Sequence, residues 1–398
     1  MQLGSGALGP LDAMSGIIYE FTNSEIGLLG SSHFIGFLFG CWVAPRLMGL
    51  VGHIRSFAIF TSLATISCLS HPILVDPWCW SVLRVIAGVS IAGTYTVIEA
   101  WMNATVENSN RGKIVGAYRF VDVSASVFAQ LMIGYIVPAS FMGYNVLALI
   151  FCACLFPIML TSKTPPIMLK PPRLSILKTI HLSPLAGFGV LVGGLAASVF
   201  RMVGPLFGLE IGFSQTQVAL FLASGFFGGA VIQIPIGFLA DKFDRRWILI
   251  YLSGGAALVS TIIAVISAQQ AGVIYFLSFC FGMTTFPIFS ISSAYANDLA
   301  NDDFYVDLAA SLIFIFAIGA IIGPYLAAAL MEIYRPNSMF LMLTLAHLLL
   351  ITFGMFRIKE WKTPIRRTSY FYIPRTTFVY ARFLKKKWMK KDTKLVYK

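Results

Sequence analysis

Charge is what this chain has least of. Of its 398 residues, 12% are charged and 58% are hydrophobic, and the mean hydropathy is +0.80. Soluble domains carry about 25% charged residues, because even a large apolar core needs a charged surface. A soluble globular protein is therefore excluded. Catalytic and energy-transducing signatures are missing too. There is no phosphate-binding loop ending in Gly-Lys-Ser/Thr, so ATP drive from this chain is not expected. His-Glu-x-x-His and Gly-x-Ser-x-Gly are absent. A membrane-embedded enzyme, the main rival class, would need such a nucleophile–base pair or a metal cluster. The six cysteines, Cys41, Cys68, Cys79, Cys152, Cys154 and Cys280, form no Cys-x-x-Cys pair and have no histidine at ligand spacing. They read as small apolar packing residues, and neither metal nor cofactor is expected.

What is present is a series of long apolar blocks, such as GFGVLVGGLAASVF at 187–200 and SLIFIFAIGAIIGPYLAAAL at 311–330. Blocks of about 20 residues match the hydrocarbon thickness of a bilayer. They recur throughout the chain, which excludes a lone signal peptide. Eleven spans are expected between residues 25 and 357, after a shorter apolar stretch at 1–18. That stretch falls short of the ~20 residues needed to cross, so the first helix is expected to be truncated in this sequence. Alternate loops then separate the basic residues. One set, with the tail, holds 25 Lys and Arg; the other holds only Arg335. Positive loops lie on the cytoplasmic side, which places the C-terminus there. Fourteen of the 29 Lys and Arg fall in the tail from Arg357 to Lys398. Dotted with aromatics, this tail is expected to meet anionic lipid head groups; tethered to the membrane, it is not expected to bind nucleic acid.

The chain repeats itself weakly. An offset of 194 brings GVSIAGTYTVIEAWMNA (88–104) onto GMTTFPIFSISSAYAND (282–298), matching Gly88 with Gly282 and Asn103 with Asn297. Gly9-Pro10-Leu11 and Gly204-Pro205-Leu206 likewise correspond. The expected organisation is an N-terminal helix bundle (1–162), a Pro-rich cytoplasmic linker (163–183), a C-terminal bundle (184–357) and a basic cytoplasmic tail (358–398). Parallel halves of this kind enclose a midplane cavity in secondary transporters.

The strongest local motif is GFLADKFDRR at 237–246. It resembles the loop signature of the major facilitator superfamily, departing from it at Asp244, where the family has Gly. The first-half copy, GCWVAPRLMGLVGHIR (40–55), is degraded, with Ala44 or Pro45 where Asp would stand. Leu83-Arg84-x-x-x-Gly88 resembles the family's Arg-bearing motif of span 4. Gly319-x-x-x-Gly323-Pro324 resembles an antiporter hinge motif but lies in the opposite half; the favoured reading is a close-packing helix with a Pro kink. The stretches PRLMGLVGHIRSFA, TVIEAWMN, ENSNRGKIVGAY and AYAND make the chain most similar to the YcaD-like bacterial group of that superfamily. The resemblance implies an all-α membrane protein of major facilitator fold, with two pseudo-symmetric six-helix bundles, in the bacterial inner membrane.

Ionisable groups inside spans cost about 2.5–3.5 kcal/mol each on insertion scales and so mark pathways or pairs. Arg119 and Asp122 are three apart on span 5 and share a face, and Glu99 lies at a similar depth on span 4. The three form either a structural ion cluster or a proton-coupling group. Arg84 lies outward of Glu99 and is expected to meet an anionic group or a proton-bearing partner; the family resemblance implies a coupling or structural role rather than direct substrate contact. Arg201 has two readings, a partner for Asp12 or an anion site. His33 shares a stripe with Gly36 and Gly40, which is read as helix contact or as a cavity-facing histidine. His347 is taken as structural. At the cytoplasmic face, Asp241 is expected near the N-terminus of span 5, beside Arg245 and Arg246. Arg46 and Arg55 are expected to meet the acidic loop of Asp298, Asp302, Asp303 and Asp307 in a gate. The favoured function is a secondary active carrier of a small solute by alternating access, with H+ as the coupling ion. A facilitated-diffusion uniporter and a non-transporting membrane sensor are the alternatives.

Overall fold

A computed structural model describes residues 1–105, 111–160, 174–266, 270–301 and 303–360, with the side chains of 103–105, 111–113, 115 and 358–360 left aside. Asp302, most of the linker and nearly all of the basic tail lie outside the described residues. The described chain is helical: α1 (Gln2–Ile18), α2 (Asn23–Val51), α3 (His53–Ser70), α4 (Pro77–Thr105), α5 (Arg111–Ile133), α6 (Phe141–Ala153), α7 (Leu155–Met159), α8 (Ile176–Leu182), α9 (Pro184–Met202), α10 (Gly204–Glu210), α11 (Gln215–Val231), α12 (Gln233–Lys242), α13 (Arg245–Val265), α14 (Ala271–Thr285), α15 (Pro287–Leu299), α16 (Tyr305–Ile333) and α17 (Ser338–Glu360).

Four rods are broken, each beside a proline: α6–α7 before Pro157, α9–α10 at Pro205, α11–α12 at Pro235 and α14–α15 at Pro287. Proline lacks the N–H that would continue the ladder. Joining these pairs and leaving α8 in the linker gives twelve rods, six before α8 and six after it. Among the described residues, nine helical stretches are long and apolar enough to cross a membrane by length and composition alone. Large apolar side chains such as Phe120, Ile234 and Phe356 are more than two thirds exposed. In a bilayer this outer surface is solvated by lipid, and the helices satisfy their own backbone groups.

The repeat read from sequence is physical. Thr22 and Glu25 form a capping box at the start of α2, and Ser214 and Gln217 form the same box 192 residues later at the start of α11. The preceding turns match as well. Phe21 N–H donates to Gly16 O and Phe213 N–H to Gly208 O, each at 2.9 Å. Each turn passes through a left-handed residue, Glu20 (φ 59°) and Gly212 (φ 91°). Such 6→1 bonds close helices by the Schellman pattern, in which a left-handed residue usually is glycine.

Close packing repeats at the same spacing. A Cβ on Gly36 would fall on the carbonyl of Val85, and one on Gly228 on the carbonyl of Phe279. From the other side, Gly88 abuts His33 O and Gly282 abuts Gly225 O. Rods α2 and α4 in the first half, and α11 and α14 in the second, are thereby held backbone to backbone, which small residues permit. The Gly319-Gly323 motif also works by contact, Gly319 lying against Leu191 O and Gly323 2.9 Å from Leu195 O on its Cβ side.

Filling such a contact forces the rods apart, and overpacking costs about 1–3 kcal/mol. Gly36→Leu and Gly88→Leu should each lower the unfolding temperature in detergent. Gly254→Leu, where an added Cβ meets nothing within 4 Å, should not. Equal melting of all three would refute the backbone contact as the spacing element.

Candidate functional site

The two halves meet at one end and part at the other. At the first end lie the turns 19–22, 134–140, 211–214 and 334–337, poor in basic residues. Here Asn23 Nδ2 donates to Glu210 Oε1 at 2.6 Å and Ser24 N–H to Glu332 Oε2 at 2.8 Å. Gln215, the residue of α11 equivalent to Asn23, donates through Nε2 to Ile133 O at 2.6 Å and to Ile136 O. Deeper in, Ser31 Oγ donates to Ile321 O at 2.6 Å, and α2 packs along α16 and α5 along α11. At the opposite, basic face, α12 and α15 pack on elements of their own half and on α8. Lys178 of α8 lies 4.1 Å over the Phe304 ring, and Ser175 N–H donates to Ser311 Oγ, so the linker helix docks under α16.

Beneath the closed end Met202 of α9 plugs the first half. A Cβ on Gly9 would meet its sulfur at 2.7 Å, Gly30 faces its Cβ, and Arg84 Nη2 lies 3.5 Å from the same sulfur. Behind this plug Asp12 sits in a buried cluster. Its Oδ2 is 3.4 Å from Arg84 Nη1 and 3.5 Å from His71 Nε2, and Tyr144 donates its hydroxyl to Oδ1 at 3.0 Å. His71 Nδ1 faces Ser67 O at 2.7 Å. A carbonyl only accepts, so Nδ1 carries a hydrogen. The His71 ring stacks on Tyr144 at 5.4 Å, and Trp80 meets both edge-on.

On the basic side of the plug, a cavity of about 170 Å³ lies between the halves. Its first-half wall holds Arg119, whose Nη1 is 3.3 Å from Asp122 Oδ2 and whose Nη2 is 3.7 Å from Glu99 Oε1. Tyr95 donates to Asp122 Oδ1 at 3.2 Å and to Gln2 Oε1, and Gln2 donates to Ser126 Oγ at 2.7 Å. Tyr118 reaches Glu99 at 3.5 Å. Glu99 is fully buried behind Arg119. The second-half wall holds Arg201, its guanidinium 5.1 Å over the Phe226 ring. His33 completes the wall.

The structure thus brings Glu99, Arg119 and Asp122 together, and separates Arg201 from Asp12. Asp12 is engaged by Arg84, His71 and Tyr144, while Arg201 faces the cavity. Of the two readings of Arg201, the pairing with Asp12 is therefore set aside. The two readings of the His33 stripe divide along it: Gly36 and Gly40 contact α4 and the histidine lines the cavity. His347 is fully buried in α17, and among the described residues neither ring nitrogen has a hydrogen-bond partner. His71, Tyr144, Tyr95 and Tyr118 were not among the sequence candidates. Tyr95 lies one turn from Glu99 on the same face, a signal that was available; His71 and Tyr144 announce themselves only through the tertiary fold.

The loop signature makes a brace inside the second half. Arg245, almost wholly buried, reaches Asp298 at 2.8 Å, Ala294 O at 2.9 Å and Asp241 at 3.3 Å, joining α12, α13 and α15. Asp244, the departure from the signature, caps α13 by accepting from Arg246 N–H at 2.9 Å, and its carboxylate pairs with the Arg246 guanidinium at 2.7 Å. Asp241 was expected at the start of α5, where the side chains of 111–113 and 115 lie outside the described residues; Arg245 is one partner of Asp241. Arg46 folds onto its own helix, donating to Trp42 O at 2.7 Å with its guanidinium 3.9 Å over the Trp42 ring. Both contacts of Arg46 lie within α2, and Arg55 stands at the start of α3 on the parted face.

A family model described as the Major Facilitator Superfamily matches residues 2–306 and 186–369. The chain belongs to the major facilitator superfamily. It is a multi-pass integral membrane transporter of small molecules, in a family that moves solutes rather than transforming them. The MFS-type transporter YcaD of Escherichia fergusonii is 25% identical over 326 residues, covering 80% of this chain and 83% of the relative. A second relative, from Enterobacter sp. (strain 638), is 24% identical over 361 residues, covering 86% and 88%. These place it in the YcaD-like group. Among solved structures, the nucleoside transporter NupG superposes with a TM-score of 0.75 at 15% identity, over 91% of this chain and 96% of that one. A bacterial homologue of the human lysosomal transporter Spinster, inward-facing and occupied, superposes at 0.68 with 12% identity, over 97% and 94%. Likeness at that identity carries the fold.

Removing one partner of a buried ion pair strands the other and costs about 3–5 kcal/mol, whereas removing both costs less. Arg84→Met should therefore destabilise the protein in detergent more than the double change Asp12→Asn with Arg84→Met. Additive losses in that cycle would show that the two residues are not coupled.

Proposed function

We propose that this protein is a proton-coupled secondary carrier that works by alternating access in a bacterial inner membrane, with its basic face and C-terminus in the cytoplasm. The observation that carries the reading is the cavity between two halves that meet at one end and part at the other, with an ion trio on its wall. A single cavity reached from one side at a time is the geometry that alternating access requires. The separation of 25 basic residues from one supports the orientation. On that orientation the structure is inward-facing.

Proton coupling is assigned to Glu99 and Asp122. Two carboxylates share one guanidinium, so the trio carries one negative charge more than its arginine offsets. One proton neutralises it, and the proton belongs to the coupled pair rather than to either residue. In proteoliposomes with an imposed pH gradient, a broad solute screen should find a solute that accumulates. Glu99→Gln and Asp122→Asn should abolish accumulation and spare solute exchange. Unaltered gradient dependence in both variants would return the trio to a structural role.

Closure of the basic face is assigned to Arg46 and Arg55 meeting Asp302, Asp303 and their acidic neighbours. Asp241, Arg245 and Arg246 stiffen the opposing edge. Carboxylates beyond a Debye length of ~8 Å would feel little of these arginines in solvent. Arg46→Asp should raise the accessibility, from the cytoplasmic side, of a cysteine introduced at the cavity-lining Ala197, and Asp303→Arg should partly reverse it. If no acidic position in 298–307 rescues the arginine reversal, the latch does not exist.

A further inference from the structure

We propose that the solute is an aromatic monoanion and that each one crosses with a single proton, electroneutrally. The proposal rests on the reading of the chain as a proton-coupled carrier and names what it carries.

The first observation is the chemistry of the wall. Phe34 and Phe37 from α2, Phe226 from α11, Phe286 at the α14–α15 junction and Phe316 from α16 all line the cavity. Phe226 and Phe286 lie 5.4 Å apart, and Arg201 lies over Phe226. Phenyl rings from both halves suit a flat apolar body, which gains from edge and face contacts beyond its buried area. Gln2, Ser5, Ser126, Ser198 and Gln233 also line the cavity and can meet a polar edge of the solute, but the rings offer nothing to a polyol, which needs a hydrogen-bonding group for each hydroxyl it loses from water. They offer equally little to a bare inorganic ion. An arginine among rings suits a carboxylate, since its fork of donors matches two carboxylate oxygens.

The second observation is charge. Around the cavity stand two cations, Arg119 and Arg201, and two carboxylates, Asp122 on the wall and Glu99 behind it. The set is neutral when empty. Alternating access requires an intermediate closed on both sides, in which a net charge is held away from water at high cost. A bound anion adds one negative charge, and one proton on the Glu99–Asp122 pair removes it. A bound cation finds no such compensation, because the ionised pair has no proton to release. A neutral solute requires no proton. The groups around the pair are Arg119, the Tyr95 and Tyr118 hydroxyls, Gln2, Ser126 and Cys41, with His33 and Arg201 on the same cavity. The proton moves from bulk water to a carboxylate oxygen of the pair, and no other bond changes.

Linkage fixes the sign. Anion binding favours protonation of the pair, so protonation must favour anion binding by the same factor. At pH values where the pair is ionised in the free protein and the ligand's carboxyl, which ordinarily titrates near 4, is ionised in solution, affinity should fall about tenfold per unit rise in pH.

The test is calorimetry on the full chain in lipid nanodiscs. Benzoate, phenylacetate and salicylate are titrated in phosphate and in Tris, whose ionisation enthalpies differ. The expected result is binding with about one proton taken up per anion. Benzamide, benzylamine, acetate and phenylalanine should bind at least about tenfold more weakly, the scale of one lost charge-assisted hydrogen bond. Arg201→Gln should weaken the aryl acids by a similar factor, Arg201→Lys should restore part of the loss, and both should melt as the parent does. The double change Glu99→Gln with Asp122→Asn should bind with no proton uptake. No binding by any aryl acid at millimolar concentration, binding without proton uptake, or preference for the amide, the amine or the zwitterion overturns the proposal. The carrier reading fails separately. If a non-anionic solute is driven by the pH gradient, the carrier stands and the anion assignment falls. If benzoate binds with its proton but no flux follows, the reverse holds.

Discussion

The contact of glycine with backbone carbonyl sets the distances on which the rest of this structure depends. Gly36 on Val85 and Gly88 on His33 bring α2 and α4 together as closely as two helices pack. Lipid gives helices no hydrophobic reason to associate, so close packing and hydrogen bonds must supply the affinity. This contact has a consequence for chemistry. With the glycines turned to α4, the cavity side of α2 is left to His33, Phe34 and Phe37, and α4 presents Tyr95. The second half repeats the device with Gly225, Gly228 and Gly282, and its cavity side receives Phe226 and Gly229. Small residues on one side of a rod thereby decide what faces the cavity on another.

Three arginines inside the spans show how placement divides roles that residue type leaves open. Arg84 is buried against one acid, a histidine and a sulfur, next to the contact that seals the closed face. Arg119 is shared by two carboxylates on the wall. Arg201 faces the cavity over a phenyl ring from the other side. A guanidinium keeps its charge in all three places, so the differences lie in what surrounds it. The carboxylates, not the arginines, are the groups that can change charge, and they are found where the arginine is over-supplied with acid.

Much of the fold was legible because membrane insertion writes itself into sequence. Apolar block length and alternation of basic loops gave the spans from 25 to 357 within a few residues of α2 to α17. The weak 194 offset was real, since Gly88 and Gly282 occupy equivalent contacts. The trio was legible from spacing on α5 and depth on α4. Arg201 was not, because its partner depended on whether α1 and α9 face each other through charge or through Met202. His71 was missed because it lies at the end of a span where loop and membrane are indistinguishable in sequence. Asp244 looked like a defect of the signature, yet a helix starts there, and aspartate is among the best N-caps.

The closed face is held by contacts suited to being broken. Asn23 and Gln215 occupy equivalent places at the starts of α2 and α11, and each donates across to the opposite half. Such bonds near water exchange protein partners for solvent and are worth only about 0.5–1.5 kcal/mol net each. Backbone contacts within each half are of another kind, since a rod cannot leave them without exposing its carbonyls and glycine seam to lipid. The molecule therefore has stiff halves and a soft seam. Met202 makes the seam specific. It sits against Gly9, Gly30 and Arg84, so the buried charges of the first half are covered by a residue of the second.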